Sequence, residues 1–171
     1  PQRREEREER KRKRKSLCAL RVLAVKKILI DLRSADEASL ASIPTLDLLV
    51  ALSDSDLEVR AVAVYALGAR GEESAITALV NCLGDSSAFL ARTAADALIR
   101  IGSPALPALT DALQHPDAQT RGLAARALAH IKDPASIPAL FNALEDDSAF
   151  VQYWADEGLD RLGVGQIYFK P

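Results

Sequence analysis

Leucine marks a long and regular period in this chain. The predicted first helix of each repeated unit ends on a leucine, and the predicted second helix carries another near its end. Successive leucines of both series are separated by 31, 30 and 31 residues. The first series is Leu52, Leu83, Leu113 and Leu144, and the second is Leu67, Leu98, Leu128 and Leu159. A period of this length is typical of stacked helical hairpins, because each hairpin covers its apolar face only against the next.

Each unit is predicted as a helix, a tight turn and a second helix. Small residues recur one and four positions before the second-helix leucine, as at Ala97 and Ala94, and they allow the paired helices to approach closely. Glycine or proline interrupts the pattern between units. The pattern predicts four repeats, at residues 43–72, 73–103, 104–134 and 135–163.

The segments on either side of the repeats lack the repeat pattern. Residues 16–42 hold an apolar, helix-like stretch and a polar connection. We expect an N-terminal capping helix there, because the terminal units of a stack are commonly atypical. Residues 164–171 contain Ile167, Tyr168 and Phe169, and this tail is expected either to cover the last repeat or to act as a docking peptide.

A charge asymmetry separates the start of the chain from its body. Residues 1–15 contain nine Lys or Arg and four Glu, whereas the remaining residues contain 13 basic and 20 acidic side chains. The acidic body disfavours nucleic acid as the ligand of the repeats, because phosphate contacts need clustered Lys and Arg. Residues 1–15 are either a solvated helical lead-in or, through Arg10 to Lys15, a docking element for an acidic protein surface, anionic lipid or nucleic acid.

The composition favours an all-α protein. Apolar residues make up 49% of the chain and are mostly Ala and Leu, which lead the helix-propensity scale. No apolar run reaches the roughly 18–20 residues that span a bilayer, so we expect a soluble, intracellular protein without a transmembrane segment. Methionine is absent even at position 1, and the chain is therefore expected to be a processed or trimmed segment.

Common catalytic and metal-binding patterns are absent from the sequence. The phosphate-binding motifs GxxxxGK(S/T) and GxGxxG and the hydrolase motifs GxSxG and HExxH do not occur. Of the two histidines, His115 lies in a predicted turn and His130 lies near a helix end, in a slot expected to face solvent. Metal sites need converging His, Cys, Asp or Glu side chains. We therefore expect no catalytic residue, no cofactor and no metal site.

The second helices carry a resemblance to a known family. They read SDLEVRAVAVYALG, SAFLARTAADALIRIG, DAQTRGLAARALAHI and SAFVQYWADEGLDRLG, and each follows a helix like ALPALTDAL. Over residues 43–163 the chain resembles HEAT-repeat proteins of the short, alanine-rich class named for phycobilisome lyase subunits. The resemblance implies an all-α, right-handed α-solenoid of four HEAT-like helical hairpins with an N-terminal capping helix, located in cyanobacterial cytoplasm or plastid stroma.

In such repeats, an Asp in the turn and an Arg at the start of the second helix typically form a ladder between neighbouring units. The Asp positions here read Asp54, Asp85, His115 and Asp146, and the Arg positions read Arg60, Ala91, Arg121 and Gln152. The resemblance therefore implies a structural ladder that is only half complete, and its members are Asp54, Arg60, Asp85, Arg121 and Asp146.

One face of the second helices combines aromatic and charged residues. Positions two, six and nine before the second-helix leucine share this face by helical spacing, and Trp154 borders it. The resemblance implies that the second helices line an inner, concave surface. The partner-binding residues predicted on this surface are Tyr65, Phe89, Arg92, Asp96, Arg126, Phe150, Tyr153, Trp154 and Glu157. The alternative is that Phe89 and Phe150 only pack against the starts of their own helices.

The fourth repeat departs most from the common pattern. It brings Phe150, Tyr153 and Trp154 together, and it has Gln152 in the Arg position and Gly158 in an Ala position. Such departures suggest local use, because stacking alone would favour the common residues. We therefore expect the main partner contact on this repeat. The alternative is that the three aromatics only close the stack against Tyr168 and Phe169.

Two functions remain open from the sequence. The first is a non-catalytic protein-binding scaffold, adaptor or assembly factor within a larger multiprotein complex, photosynthetic or other. The alternative, implied by the resemblance alone, is a phycobilin lyase subunit or bilin-binding chaperone acting on phycobiliproteins. Such a lyase subunit would work in a heterodimer and transfer an open-chain tetrapyrrole to a cysteine, and it is the one enzymatic function kept.

Overall fold

The computed structural model describes residues 42–164. The basic segment Arg10 to Lys15 and the capping helix expected within residues 16–42 lie outside this range. The tail residues Ile167, Tyr168 and Phe169 lie outside it as well.

Helices account for nearly all regular structure in the described range, which holds no strand. They form four hairpins of a shorter first helix and a longer second helix, so the predicted all-α solenoid is confirmed. The helices are α1 (Thr45–Ala51), α2 (Leu57–Ala69), α3 (Ile76–Asn81), α4 (Ala88–Ile101), α5 (Leu106–Ala112), α6 (Ala118–Ile131), α7 (Ile137–Ala143) and α8 (Ala149–Arg161). Short 3-10 turns lie at Glu73–Ala75, Cys82–Gly84, Ser103–Ala105 and Pro134–Ser136.

Turn residues set where the second helices begin. The side chain of Asp117 accepts a hydrogen bond from the amide of Thr120 at 2.9 Å, and Ser87 occupies the same position before α4. These caps satisfy amides that the first turn of a helix leaves without partners. At the other end, Gly102 follows α4 with a φ of 80°, a left-handed conformation that glycine adopts without strain.

Two compact units divide the chain, the first ending at Ala66 and the second beginning at Leu67. In the first, α1 buries Leu48 and Ala51 completely. The turn after α1 is closed by Arg60, whose Nη1 donates to the carbonyl of Asp54 at 2.9 Å. The first unit thus contains one repeat turn held by its own arginine.

The second unit stacks its hairpins through their second helices. Helix α6 packs against both α4 and α8, and each second helix also packs against the first helix of its own hairpin. The leucines that define the sequence period, Leu98, Leu128 and Leu159, are at most 1% exposed. The leucines that define the sequence period therefore lie in the core of the stack.

Glycine in the last repeat serves this packing. A Cβ added at Gly158 would lie 2.9 Å from Cδ1 of Leu140 and 3.1 Å from Cβ of Ala129. Helix α8 can approach α6 this closely only without a side chain at that position. Packing thus gives Gly158 a structural explanation, and the use of the fourth repeat by a partner stays a prediction.

None of the helices within residues 42–164 is long and apolar enough to cross a membrane.

Candidate functional site

Large aromatic side chains are exposed on the second helices. On α4 and α8 of the second unit, Phe89 is 63% exposed, Phe150 is 43% exposed and Tyr153 is 59% exposed. In the first unit, Tyr65 is 42% exposed. The charged residues Arg92 and Asp96 on α4 are exposed as well. These side chains are open to solvent, and their role in binding a partner stays a prediction.

Phe150 has a packing role besides its exposure. A methyl group at Gly122 would overlap the Phe150 ring, so this ring lies directly over the glycine of α6. Gly122 is buried, and no side chain of its own competes for that space. Phe150 therefore contributes to the packing of α8 against α6 and does not only pack against the start of its own helix.

Trp154 lies at the centre of a cluster that joins α6 to α8. Its ring centroid is 5.2 Å from that of Tyr153, with the two planes 78° apart, and 5.3 Å from that of His130. The guanidinium carbons of Arg126 and Arg161 lie 5.8 and 5.9 Å from the Trp154 centroid. Guanidinium groups at this range are attracted by the negative face of an indole. We call these five residues the Trp154 cluster.

Sequence reasoning missed two members of this cluster. His130 was expected in a solvent-facing slot, but it is only partly exposed and its ring contacts Trp154. Its Nδ1 lies 2.8 Å from the carbonyl oxygen of Arg126, which can only accept, so Nδ1 donates. Arg161 occupies the same repeat position as His130, and counting along one helix did not show that both reach the indole of Trp154.

Each arginine of the Trp154 cluster is held by one carboxylate. Nη2 of Arg126 donates to Asp96 of α4 at 2.9 Å, and Nε of Arg161 donates to Glu157 at 2.8 Å. These pairs balance the charge and fix the planes of both guanidinium groups. The structure thus brings together Asp96, Arg126, Trp154 and Glu157, four of the residues predicted on this surface.

Two hydrogen-bond donors of the Trp154 cluster are buried without an acceptor among the described residues. They are Nε1 of Trp154 and Nη1 of Arg126. A buried donor left unsatisfied typically costs about 1–3 kcal/mol, and native proteins keep few of them. The packing of the helices therefore does not by itself explain why these two donors lack acceptors.

The turn ladder is occupied between the third and fourth repeats. Nε and Nη2 of Arg121 donate to the two oxygens of Asp146 at 2.7 and 2.9 Å. Nη1 of Arg121 also donates to the carbonyl of His115 in its own turn, at 3.0 Å. The hydrogen bonds from Arg121 hold the pKa of Asp146 below its ordinary value. Arg60 and Asp54 are bonded within the first unit, as described above.

His115 takes over part of the role of the ladder aspartates. In the turns of Asp85 and Asp146, a carboxylate oxygen accepts a hydrogen bond from the amide two residues on, at 2.8 Å in both cases. At the third turn, Nδ1 of His115 accepts the equivalent bond from Asp117 at 3.1 Å. The imidazole keeps the turn but brings no negative charge, and the arginine position of the preceding repeat is Ala91. Between the second and third repeats, both the Arg position and the Asp position of the ladder are therefore replaced.

Metal ligation has no support in the described range. Within residues 42–164, no group of three or more His, Cys, Asp or Glu side chains could hold a metal ion. The Trp154 cluster instead offers aromatic faces and hydrogen-bond donors, which suit an aromatic or conjugated ligand that carries acceptor groups.

Known proteins resemble this chain in sequence and in fold. The family model for HEAT repeats matches residues 45–120 and 106–166. The chain is 40% identical over 105 residues to the phycobilisome maturation protein of Synechococcus elongatus, a match that covers 61% of this chain and 50% of that protein. It is 37% identical over 91 residues to the bilin biosynthesis protein RpcF of a Synechococcus species, which covers 53% and 44% of the two chains.

The chain spans about half the length of the curated relatives it matches. Among solved structures, the complex of CpcE and CpcF of phycocyanin lyase from a Nostoc species is similar with a TM-score of 0.43 and 24% identity. That match covers 74% of this chain and 68% of the other.

Proposed function

This chain belongs to the HEAT-repeat family, in the class that phycobilisome proteins represent, and we propose that it is a bilin-handling subunit of a phycobilin lyase. In this role it holds an open-chain tetrapyrrole while the tetrapyrrole is attached to a cysteine of a phycobiliprotein. The attachment adds the thiol S–H across a carbon–carbon double bond of the tetrapyrrole. One S–C bond and one C–H bond form, and no group leaves.

The observation that carries this proposal is the 40% identity over 105 residues with a phycobilisome maturation protein. The match to a bilin biosynthesis protein points to the same class of ligand. Because this chain spans about half of each relative, the activity, the substrate and the partner subunit are proposals for this chain.

The aromatic side chains of the second helices support the same proposal. A tetrapyrrole is long, flat and conjugated, and it needs ring faces against which it can stack. Phe150, Tyr153 and Trp154 supply such faces on α8, and Arg126 and Arg161 supply positive charge beside them. In this proposal, the part of this chain in the reaction is to bind and orient the tetrapyrrole.

The protein-binding scaffold expected first from the sequence is compatible with this function. A lyase subunit must contact a phycobiliprotein, and it would work together with a second subunit. The names of the relatives nevertheless favour the lyase function over a scaffold without a tetrapyrrole. The exposed aromatic Phe89 remains available for a protein partner in either case.

A transfer assay tests the proposal. Purified chain, a second phycobilin lyase subunit, phycocyanobilin and an apo-phycobiliprotein subunit are combined, and covalent adduct is detected by zinc-induced fluorescence on a denaturing gel. We expect faster and cleaner adduct formation than with heat-unfolded chain, and none on an acceptor whose attachment cysteine is changed to serine. Equal rates with native and unfolded chain would contradict the lyase function. Binding to the apo-subunit without any transfer would favour the scaffold.

A further inference from the structure

The two buried donors of the Trp154 cluster belong to one place in the fold. Nε1 of Trp154 and Nη1 of Arg126 have no acceptor among the described residues, and the guanidinium carbon of Arg126 lies 5.8 Å from the centroid of the Trp154 ring. An indole N–H and a guanidinium N–H can only donate. A group that satisfies both must therefore be an acceptor, and a carboxylate is the strongest acceptor for a guanidinium.

Among the described residues, two carboxylates already bond the arginines of the Trp154 cluster through other nitrogens. Asp96 bonds Nη2 of Arg126, and Glu157 bonds Nε of Arg161. These bonds orient the guanidinium groups and leave Nη1 of Arg126 outside the pair with Asp96. An incoming carboxylate would thus find a donor whose direction is fixed in advance, which lowers the entropy cost of binding.

The aromatic members define what the rest of the ligand must be. The His130 ring is tilted by 47° from the plane of the Trp154 ring, and the Tyr153 ring meets the Trp154 ring nearly edge-on. The hydrogen bond from His130 to the Arg126 carbonyl fixes the imidazole, whereas Tyr153 is 59% exposed. Tyr153 can turn away at small cost in burial and uncover the indole. A conjugated ring could then stack where the phenol ring now lies.

We propose that the Trp154 cluster binds a propionate carboxylate of an open-chain tetrapyrrole, through Nη1 of Arg126 and Nε1 of Trp154, with the adjoining pyrrole ring stacked at the place of Tyr153. This inference rests on the proposed function, since it takes the ligand class from there. It adds the residues that recognise the acidic side chain of the ligand. Tyr153 acts as the movable cover of the site.

Esterification of the ligand isolates this contact. Phycocyanobilin and its dimethyl ester share the conjugated system, but the ester cannot offer a carboxylate. Hydrogen bonds to charged groups contribute about 1.5–3 kcal/mol. We therefore expect the wild-type chain to bind the free acid about 10- to 100-fold more tightly than the ester, as measured by absorption or fluorescence titration.

Variants assign the difference to the cluster. Arg126→Gln and Trp154→Phe each remove one of the two buried donors, and each should lower the acid-to-ester ratio at least threefold. The fall should be larger for Arg126→Gln, which also removes the positive charge. Lys132→Gln removes an exposed positive charge just after α6 and should keep the wild-type ratio. Circular dichroism melting curves establish that each variant is folded, and Arg126→Gln tests the site independently if Trp154→Phe is not.

The outcomes separate this inference from the proposed function. Equal binding of acid and ester by the wild-type chain would overturn the inference and leave a bilin-handling subunit intact. An equal fall for Arg126→Gln and Lys132→Gln would overturn it too, because general positive charge would then explain the preference. Failure of the wild-type chain to bind either form would contradict the proposed function itself.

Discussion

Arg126 on α6 places its guanidinium 5.8 Å from the centre of the Trp154 ring on α8. The same group donates to Asp96 on α4 at 2.9 Å. One side chain thus connects the second helices of three successive repeats. Because a partly exposed ion pair contributes only about 1 kcal/mol at most, we interpret this connection mainly as a way of positioning polar groups on one face.

The close approach of α8 to α6 gives a first prediction. Gly158→Ala should destabilise the protein by up to about 2 kcal/mol in urea unfolding, because overpacking a core typically costs 1–3 kcal/mol while alanine favours a helix by about 1 kcal/mol. The added Cβ would lie 3.2 Å from the Cα of Ala129, and a backbone atom moves aside less easily than the end of a side chain.

Gly122→Ala is the matched control for this prediction. Its added methyl would meet the ring of Phe150, a side chain that is 43% exposed and can swing towards solvent. We expect a change within about 1 kcal/mol of zero, since the gain in helix propensity offsets the displaced ring. A Gly158→Ala protein as stable as Gly122→Ala would show that α8 packs less tightly than described.

The ladder pair of Arg121 and Asp146 predicts a dependence of stability on pH. The pKa of Asp146 in the folded protein is below its ordinary value, chiefly because Arg121 donates hydrogen bonds to it. The contribution of this carboxylate is therefore present above the pKa of the unfolded state, about 3.9, and is lost as the pH falls through the folded pKa. Asp146→Asn should be less stable than wild type near pH 7, with the difference shrinking below about pH 4.

Urea unfolding at pH 7 and pH 3 checks this expectation. Asp156→Asn, which removes an exposed carboxylate of α8, controls for the loss of one negative charge. A difference between wild type and Asp146→Asn that is the same at both pH values would rule out the ion pair as its source.

The replaced rung of the ladder can be rebuilt. By repeat equivalence, Ala91 and His115 stand where Arg121 and Asp146 stand one unit later. Ala91→Arg combined with His115→Asp should show a favourable coupling of about 0.5–1 kcal/mol in a double-mutant cycle, as exposed or partly exposed ion pairs do. Additive effects of the two changes would mean that these positions do not face each other.

Phe150 and Tyr153 are expected to respond differently to truncation, although the sequence placed them in one binding surface. Phe150→Ala should lower stability by about 1–2 kcal/mol, less than a fully buried Phe, because its ring covers Gly122 while 43% exposed. Tyr153→Ala should change stability by less than about 1 kcal/mol, because most of its ring faces solvent. Thermal melting of both single variants measures this, and the reverse order would contradict the described packing.

The repeat architecture could be predicted because the same contact recurs in each hairpin. Leu98, Leu128 and Leu159 must each fill the same space between helices, so their period appears in the sequence without any knowledge of the turns. The sequence shows that His115 replaces the Asp of the other turns. It does not show that the two side chains accept the same backbone hydrogen bond. Only the structure shows that Nδ1 of His115 lies where a carboxylate oxygen would accept this hydrogen bond.

The candidate site was only partly predictable. Counting helical positions placed Arg126, Trp154 and Glu157 on one face, because they share the periodicity of their helices. It missed His130 and Arg161, because the Trp154 ring contacts a residue of the neighbouring helix and a guanidinium from seven residues further along its own helix. Side-chain reach of this kind depends on the spacing of α6 and α8, which the sequence pattern does not contain.

The central claim is that this chain handles an open-chain tetrapyrrole, and the absorption spectrum of phycocyanobilin tests it most directly. Titration of purified chain into the free bilin should give a red-shifted and stronger long-wavelength band that saturates, alone or together with a second lyase subunit. Heat-unfolded chain at the same concentration should leave the spectrum unchanged. A spectrum that stays that of free bilin under every one of these conditions would contradict the account.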